Sequence, residues 1–227
     1  MVFEPLSTMI FLVTMAFSLW AQAKVKWAYA RNAQIGTRKG MTGAELARWM
    51  MQKENIHDVD LEPIAGELTD HYDPTAKVVR LSEGVYNSQS IAALGIAAHE
   101  VGHVIQHAHG YAPMHVRSFV YPMASIGTKL SMPLIIAGLF IAQMPFLLWA
   151  GVFLFAASTF FTVVTLPVEF NASSRALHAL EHGNILDPDE LTGAKQVLDA
   201  AAWTYVAAAV ASVMWLLYYI ALARGRN

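Results

Sequence analysis

Long uncharged apolar runs alternate with polar segments along this chain, and that alternation predicts its elements. Leu6 to Ala23, Phe146 to Val168 and Ala200 to Ala223 carry no charge, and Ser118 to Gln143 carries only Lys129. Each is close to the roughly 20 residues that a helix needs to cross a hydrocarbon core. Four transmembrane helices are therefore expected. Only Gln143-Met144-Pro145 separates the middle two, which read as a tight transmembrane hairpin. Pro122 and Pro133 predict breaks in its first arm. A buried helical hairpin of a soluble protein is the alternative for this pair. A cleaved signal peptide is the alternative for the first run, since Ala21-Gln22-Ala23 has the small residues of a cleavage site. No Lys or Arg precedes that run, which favours a retained anchor.

The polar segments carry local signals. Thr42-Gly43-Ala44-Glu45 has the capping-box pattern and predicts a helix to about Asn55. Val59 to Ile64 reads as a strand, and His71 to Leu81 as strand, Asp-Pro turn, strand. Ser88 or Ser90 can cap a helix from Ile91 that stops near Gly110. Lys77 to Leu81 is expected to be an exposed sheet edge that an extended substrate could join. The resulting organisation is an anchor (1–23), a polar segment (24–117), the transmembrane hairpin (118–168), a polar helical segment (169–199) and a final transmembrane helix with a short tail (200–227).

Composition agrees with a membrane protein: 56% hydrophobic, 14% charged, mean hydropathy +0.39. No cysteine is present, which excludes disulfides, thiol catalysis and sulfur-ligated metals. A net charge of −2 gives no footprint for nucleic acid. Of 15 Lys and Arg residues, 12 lie in the segments 24–117 and 169–199. The bias predicts that these face the cytoplasm. Arg224 and Arg226 at the C-terminus count mildly against four full spans.

The chemistry centres on His99-Glu100-Val101-Gly102-His103. On a helix, histidines four apart share a face and can hold one metal ion, while the glutamate beside them can act as a base. That is the core of a zinc-dependent hydrolase of amide bonds. One Zn2+ per chain is expected, with Glu100 as the catalytic base. A catalytic zinc takes a third protein ligand. Glu169 is the leading candidate. It opens a helical pattern with Ala172, Ser173, Ala176 and Ala179 on one small-residue face. Gly95, Ala98 and Gly102 offer small residues on the motif helix. His109 has the spacing of a metzincin ligand, but Gln106 stands where that pattern needs glycine. His107 lies a turn too far along. His71, His115 and Arg175 are candidates to stabilise the oxyanion.

These residues resemble the YugP-type membrane zinc metallopeptidases, also called neutral zinc metallopeptidase family 2. The matching blocks are Asp70 to Pro74, Val79 to Ser82, Ala98 to His107, Gly110 to Pro113 and the Glu169 segment. The resemblance implies a bacterial inner-membrane protein, distantly like the HtpX-type gluzincin peptidases, with Glu169 as the third ligand. Those relatives carry an aspartate four residues after the glutamate, whereas here Ser173 occupies it; Asn171 is the candidate to supply part of its support. The fold class expected is a mainly α membrane protein of about four transmembrane helices with a small α+β zincin-like catalytic domain. Its partners would be the lipid bilayer, a peptide or membrane-protein substrate and a regulatory membrane protein, with no nucleic acid. Two other functions compete. One is an intramembrane site-2-type protease with Asp187 as third ligand. The other is a non-catalytic zinc-binding scaffold, which would have no need of Glu100.

Overall fold

The computed structural model describes residues 5–141 and 144–225, which form two compact units. One unit comprises residues 21–111 and 168–203; the other takes in 5–20, 112–167 and 204–225. The chain order is α1 (Pro5–Asn32), α2 (Gly43–Lys53), β1 (Asp60–Ile64), β2 (His71–Asp73), β3 (Val78–Ser82), α3 (Glu83–Tyr86), α4 (Ile91–Ala108), α5 (Ala112–Phe140), α6 (Pro145–His182) and α7 (Pro188–Arg224). The chain is mainly helical, with a small three-stranded sheet and four helices long and apolar enough to cross a membrane.

In the first unit, local signals set the element ends. The Thr42 hydroxyl accepts from the Glu45 amide, and the Glu45 carboxylate accepts from the Thr42 amide, so the capping box forms. α2 ends before Asn55, which takes a left-handed φ of 54°. The Asp73 carboxylate accepts from the Thr75 and Ala76 amides and folds the turn between β2 and β3. Ser90 caps α4 by accepting from the Ala93 amide, and Gly110 leaves it at φ 64°.

The sheet order is β1-β3-β2, with β1 parallel and β2 antiparallel to β3. This corrects one expectation. Lys77 to Leu81 is not an exposed edge, because β3 is the central strand, and its Val78, Val79 and Leu81 are buried. The free edges belong to β1 and β2.

α4 is the axis of this unit, buried along nearly its whole length. Leu94, Val101 and Val104 join Leu46 and Met50 of α2, Val79 and Leu81 of β3, Leu180 of α6 and Val197 of α7 in one core. Small residues set the helix spacing, divided between two neighbours. A Cβ at Gly102 would stand 2.7 Å from the Ala172 carbonyl oxygen, so α4 and α6 touch backbone to backbone there. Gly95 instead faces Ala194 of α7.

In the second unit, α5 and the apolar part of α6 pack through Gly127 against Leu154, Gly138 against Leu148 and Gly151 against Ile135. Close approach at small residues is the usual device between helices in lipid. Ile135, Leu148, Val152, Tyr219 and Ala223 form its core. Phe119 and Phe153 are 86% and 69% exposed, an outer surface suited to lipid tails. The expected breaks do not occur: α5 runs straight through Pro122 and Pro133. Thr128 and Ser158 both donate to the Ala124 carbonyl, a polar contact between α5 and α6. The polar segments after the first and third runs also continue the same helices, to Asn32 and His182. Of the expected hairpin turn, Gln143 lies outside the described residues.

Candidate metal centre

α4 carries His99 and His103 one turn apart, with ring centroids 4.8 Å apart. Gly102 lets α6 approach so closely that Glu169, just past the apolar stretch of α6, reaches both imidazoles. His99 Nε2 and His103 Nε2 lie 3.2 and 3.5 Å from the Glu169 Oε2 atom. Donor atoms about 2.1 Å from a tetrahedral zinc would stand about 3.4 Å from each other. His99, His103 and Glu169 are the one such group of three among the described residues.

The outer nitrogens of both rings are already engaged. Gln106 is fully buried; its Nε2 donates to the Val168 carbonyl and to Asn171 Oδ1, which leaves its Oε1 as an acceptor. His103 Nδ1 must therefore donate to that Oε1, at 3.0 Å. In the neutral ring this leaves Nε2 as the lone-pair nitrogen beside Glu169, and in the protonated ring Nε2 donates to Glu169. His99 Nδ1 is 3.1 Å from the Ser173 hydroxyl. Both histidines thus have Nδ1 engaged and Nε2 facing Glu169, the arrangement of metal-ligating histidines.

Electrostatics favour a cation at the same point. Burial pushes the Glu169 carboxyl up, but hydrogen bonds and charge from His103 and His99 reverse this and hold it far below the usual carboxylate range. Burial pushes the His103 imidazole down, yet the Glu169 hydrogen bond and the charges of Glu100 and Glu169 outweigh it and raise its pKa. Two histidine nitrogens and a carboxylate match the chemistry of a zinc site in a chain without cysteine. Glu100 is buried beside them, and no protein group among the described residues hydrogen-bonds its carboxylate. It is open to a water.

Other candidates are placed elsewhere. His109 caps α4 and pairs with Glu54 at 3.4 Å, so it is no metzincin ligand. His107 Nδ1 meets the Tyr72 hydroxyl at 2.8 Å. Asp187 pairs with Arg38, which also holds Asp189, so the site-2-type ligand set does not assemble. His71 contacts the Thr69 carbonyl and Arg80. His115 is exposed at the start of α5, in the other unit. Arg175 donates through Nε to Asn171 Oδ1. The support expected of Asn171 divides differently: Ser173 contacts His99 itself, and Asn171 acts through Gln106 on His103. Gln106 is the residue that the sequence reading passed over. Its signal was present, three positions past His103 and so on the same helix face.

Replacing Gln106 with leucine leaves His103 Nδ1 without an acceptor and frees its tautomer. Zinc affinity, measured by chelator competition, is expected to fall about 10- to 100-fold with the helical content retained. Unchanged affinity would remove Gln106 from the support of the site.

A family model described as "Putative neutral zinc metallopeptidase" matches residues 7–224. The "Putative membrane protease YugP" of Bacillus subtilis (strain 168) is 41% identical over 209 residues, covering 92% of each chain. No solved structure matches.

Proposed function

The chain belongs to the neutral zinc metallopeptidase family, and from that membership we propose a membrane-embedded zinc peptidase that cleaves membrane-associated or unfolded protein chains at the cytoplasmic interface. The reading is carried by the donor atoms of His99, His103 and Glu169, within 4.8 Å of one another, beside the Glu100 carboxylate, which no side chain among the described residues hydrogen-bonds. It makes the unit of residues 21–111 and 168–203 a zincin-like catalytic domain with His99-Glu100-Val101-Gly102-His103 as its motif, and the apolar parts of α1, α5, α6 and α7 the membrane spans.

A zinc ion held there would polarise the scissile carbonyl and bring the pKa of a water to about 7. Glu100 takes the proton of the attacking water and passes it to the leaving amine. Gln106 and Ser173 keep the two imidazoles oriented throughout. β2 is the free strand edge tied to the motif helix, through Tyr72 and His107, and offers an extended substrate main-chain hydrogen bonds. The alternative of a zinc-binding scaffold gives no role to an unpaired buried glutamate.

Purified chain in detergent should cleave an unfolded protein, lose that activity to a zinc chelator and regain it with added Zn2+. Hydrolysis that survives complete metal removal overturns the reading.

The cytoplasmic orientation rests on the basic residues, 12 of 15 in segments 24–117 and 169–199. Thr75 and Ser174 are exposed, and the chain has no native cysteine. Single cysteines there should resist an impermeant thiol reagent in intact cells and react after lysis. Labelling of either from outside reverses the orientation.

A further inference from the structure

A second feature lies on the same unit, in a groove between α6, the end of α2 and the end of α4. Its volume is about 480 Å3. Trp49, Met50, Ile105 and Ala179 give it an apolar wall. Gly183 admits the Trp49 ring against α6, since a Cβ there would meet the ring at 2.4 Å. The polar lining is mostly cationic or hydrogen-donating. Arg175 and Lys53 contribute full positive charges, and His178 and His182 stack with centroids 3.9 Å apart. The groove's one carboxylate, Glu54, is engaged by His109 at 3.4 Å.

The two cations have spare capacity. Arg175 uses Nε on Asn171, and its terminal guanidinium nitrogens have no protein partner among the described residues. The Lys53 ammonium lies 4.6 Å over the Trp49 ring and has no carboxylate partner among the described residues. Holding Arg175 through Nε pre-orients the outer edge of its guanidinium, the edge that forms paired hydrogen bonds with a carboxylate. An anionic end beside an apolar body is what such a groove complements.

We propose that this groove binds the free C-terminal carboxylate of a peptide that ends in an apolar residue. Arg175 and Lys53 take the carboxylate, and Trp49, Met50 and Ile105 take the last side chain. The proposal rests on the peptidase reading for its ligand class and makes chains with a free, apolar C-terminus the preferred substrates. Arg175 also links the groove to the metal centre, because its partner Asn171 holds Gln106, which holds His103. It acts here as a binding residue, not on the reacting atoms.

The test uses the zinc-loaded full chain in detergent with Glu100→Gln, so that the probe stays intact. The probe is a pentapeptide ending in leucine, prepared as free acid and as carboxamide, with binding followed by calorimetry. The free acid should bind at least about 10-fold tighter than the amide. Arg175→Gln should weaken the free acid about 10- to 100-fold and leave the amide unchanged. Lys53→Gln, outside the Asn171 network, should weaken the free acid in the same direction by a smaller factor. Zinc content, measured on each variant, separates loss of the groove from damage to the metal centre; where Arg175→Gln loses zinc, Lys53→Gln decides. Equal binding of acid and amide, or equal weakening of both by the variants, overturns the proposal. Hydrolysis by the wild-type chain is scored separately. Its absence with an intact acid–amide difference rejects the peptidase and leaves the groove; its presence without that difference rejects the groove alone.

Discussion

Glu169→Ala is expected to take the purified chain from one zinc per molecule to essentially none after dialysis. Among the described residues, Glu169 is the one carboxylate grouped with both His99 and His103, and it is almost wholly buried. Loss of an outer-shell partner alone typically costs 10- to 100-fold in metal affinity, so loss of a direct ligand should cost at least about 100-fold. The fold should persist, because Ala172 and Ala176 keep their contacts with α4 and the core does not use the carboxylate. Circular dichroism would show retained helix beside the lost metal. His109→Ala and Asp187→Ala serve as opposing controls. The first removes a pair with Glu54 and the second an exposed pair with Arg38, so both should keep full zinc. Zinc retained by Glu169→Ala and lost by His109→Ala would reverse the ligand assignment.

The parts of the site that were legible in the sequence are those set by local chemistry. His99 and His103 are placed by helix periodicity alone, and Ser90 and Gly110 mark the ends of that helix. Glu169 was legible through packing, because small residues recur on α6 where it meets α4. That logic was only half right for the glycines. Gly102 does meet α6, but Gly95 meets α7, since a residue pattern shows that a face is thin and not which neighbour will use it. Gln106 entered the sequence reading only as the absence of a metzincin glycine, whereas its own amide is the relevant feature.

The fold shows the same division. The β2–β3 hairpin and its Asp73 turn follow from adjacent residues. The parallel pairing of β1 with β3 depends on a connection that returns across the sheet, and no alternation of apolar residues encodes it. Apolar runs located the candidate spans but not the helix ends. A change from apolar to polar residues alters what a helix faces without stopping it, so α1 and α6 run on past their apolar stretches to Asn32 and His182. That continuity is useful to the site: Glu169 stands on an unbroken helix, which fixes its position better than a loop would.

Glu100→Gln should separate chemistry from binding. Glutamine keeps the volume and shape of the side chain, and Glu100 makes no protein hydrogen bond among the described residues that the change would break. It is not in the group of His99, His103 and Glu169, so zinc stoichiometry should remain at one. What disappears is the capacity to take a proton from water, and general-base removal typically costs about 10²- to 10⁴-fold. Cleavage of an unfolded protein should therefore fall by at least about 100-fold at unchanged metal content. One side effect has a known direction. Glu100 is among the charges that raise the pKa of His103, so the neutral glutamine leaves that imidazole easier to deprotonate and no less able to hold a metal. A loss of zinc in this variant would instead place Glu100 among the ligands. Full zinc with full activity would remove Glu100 as the base and leave the proton transfer to another group.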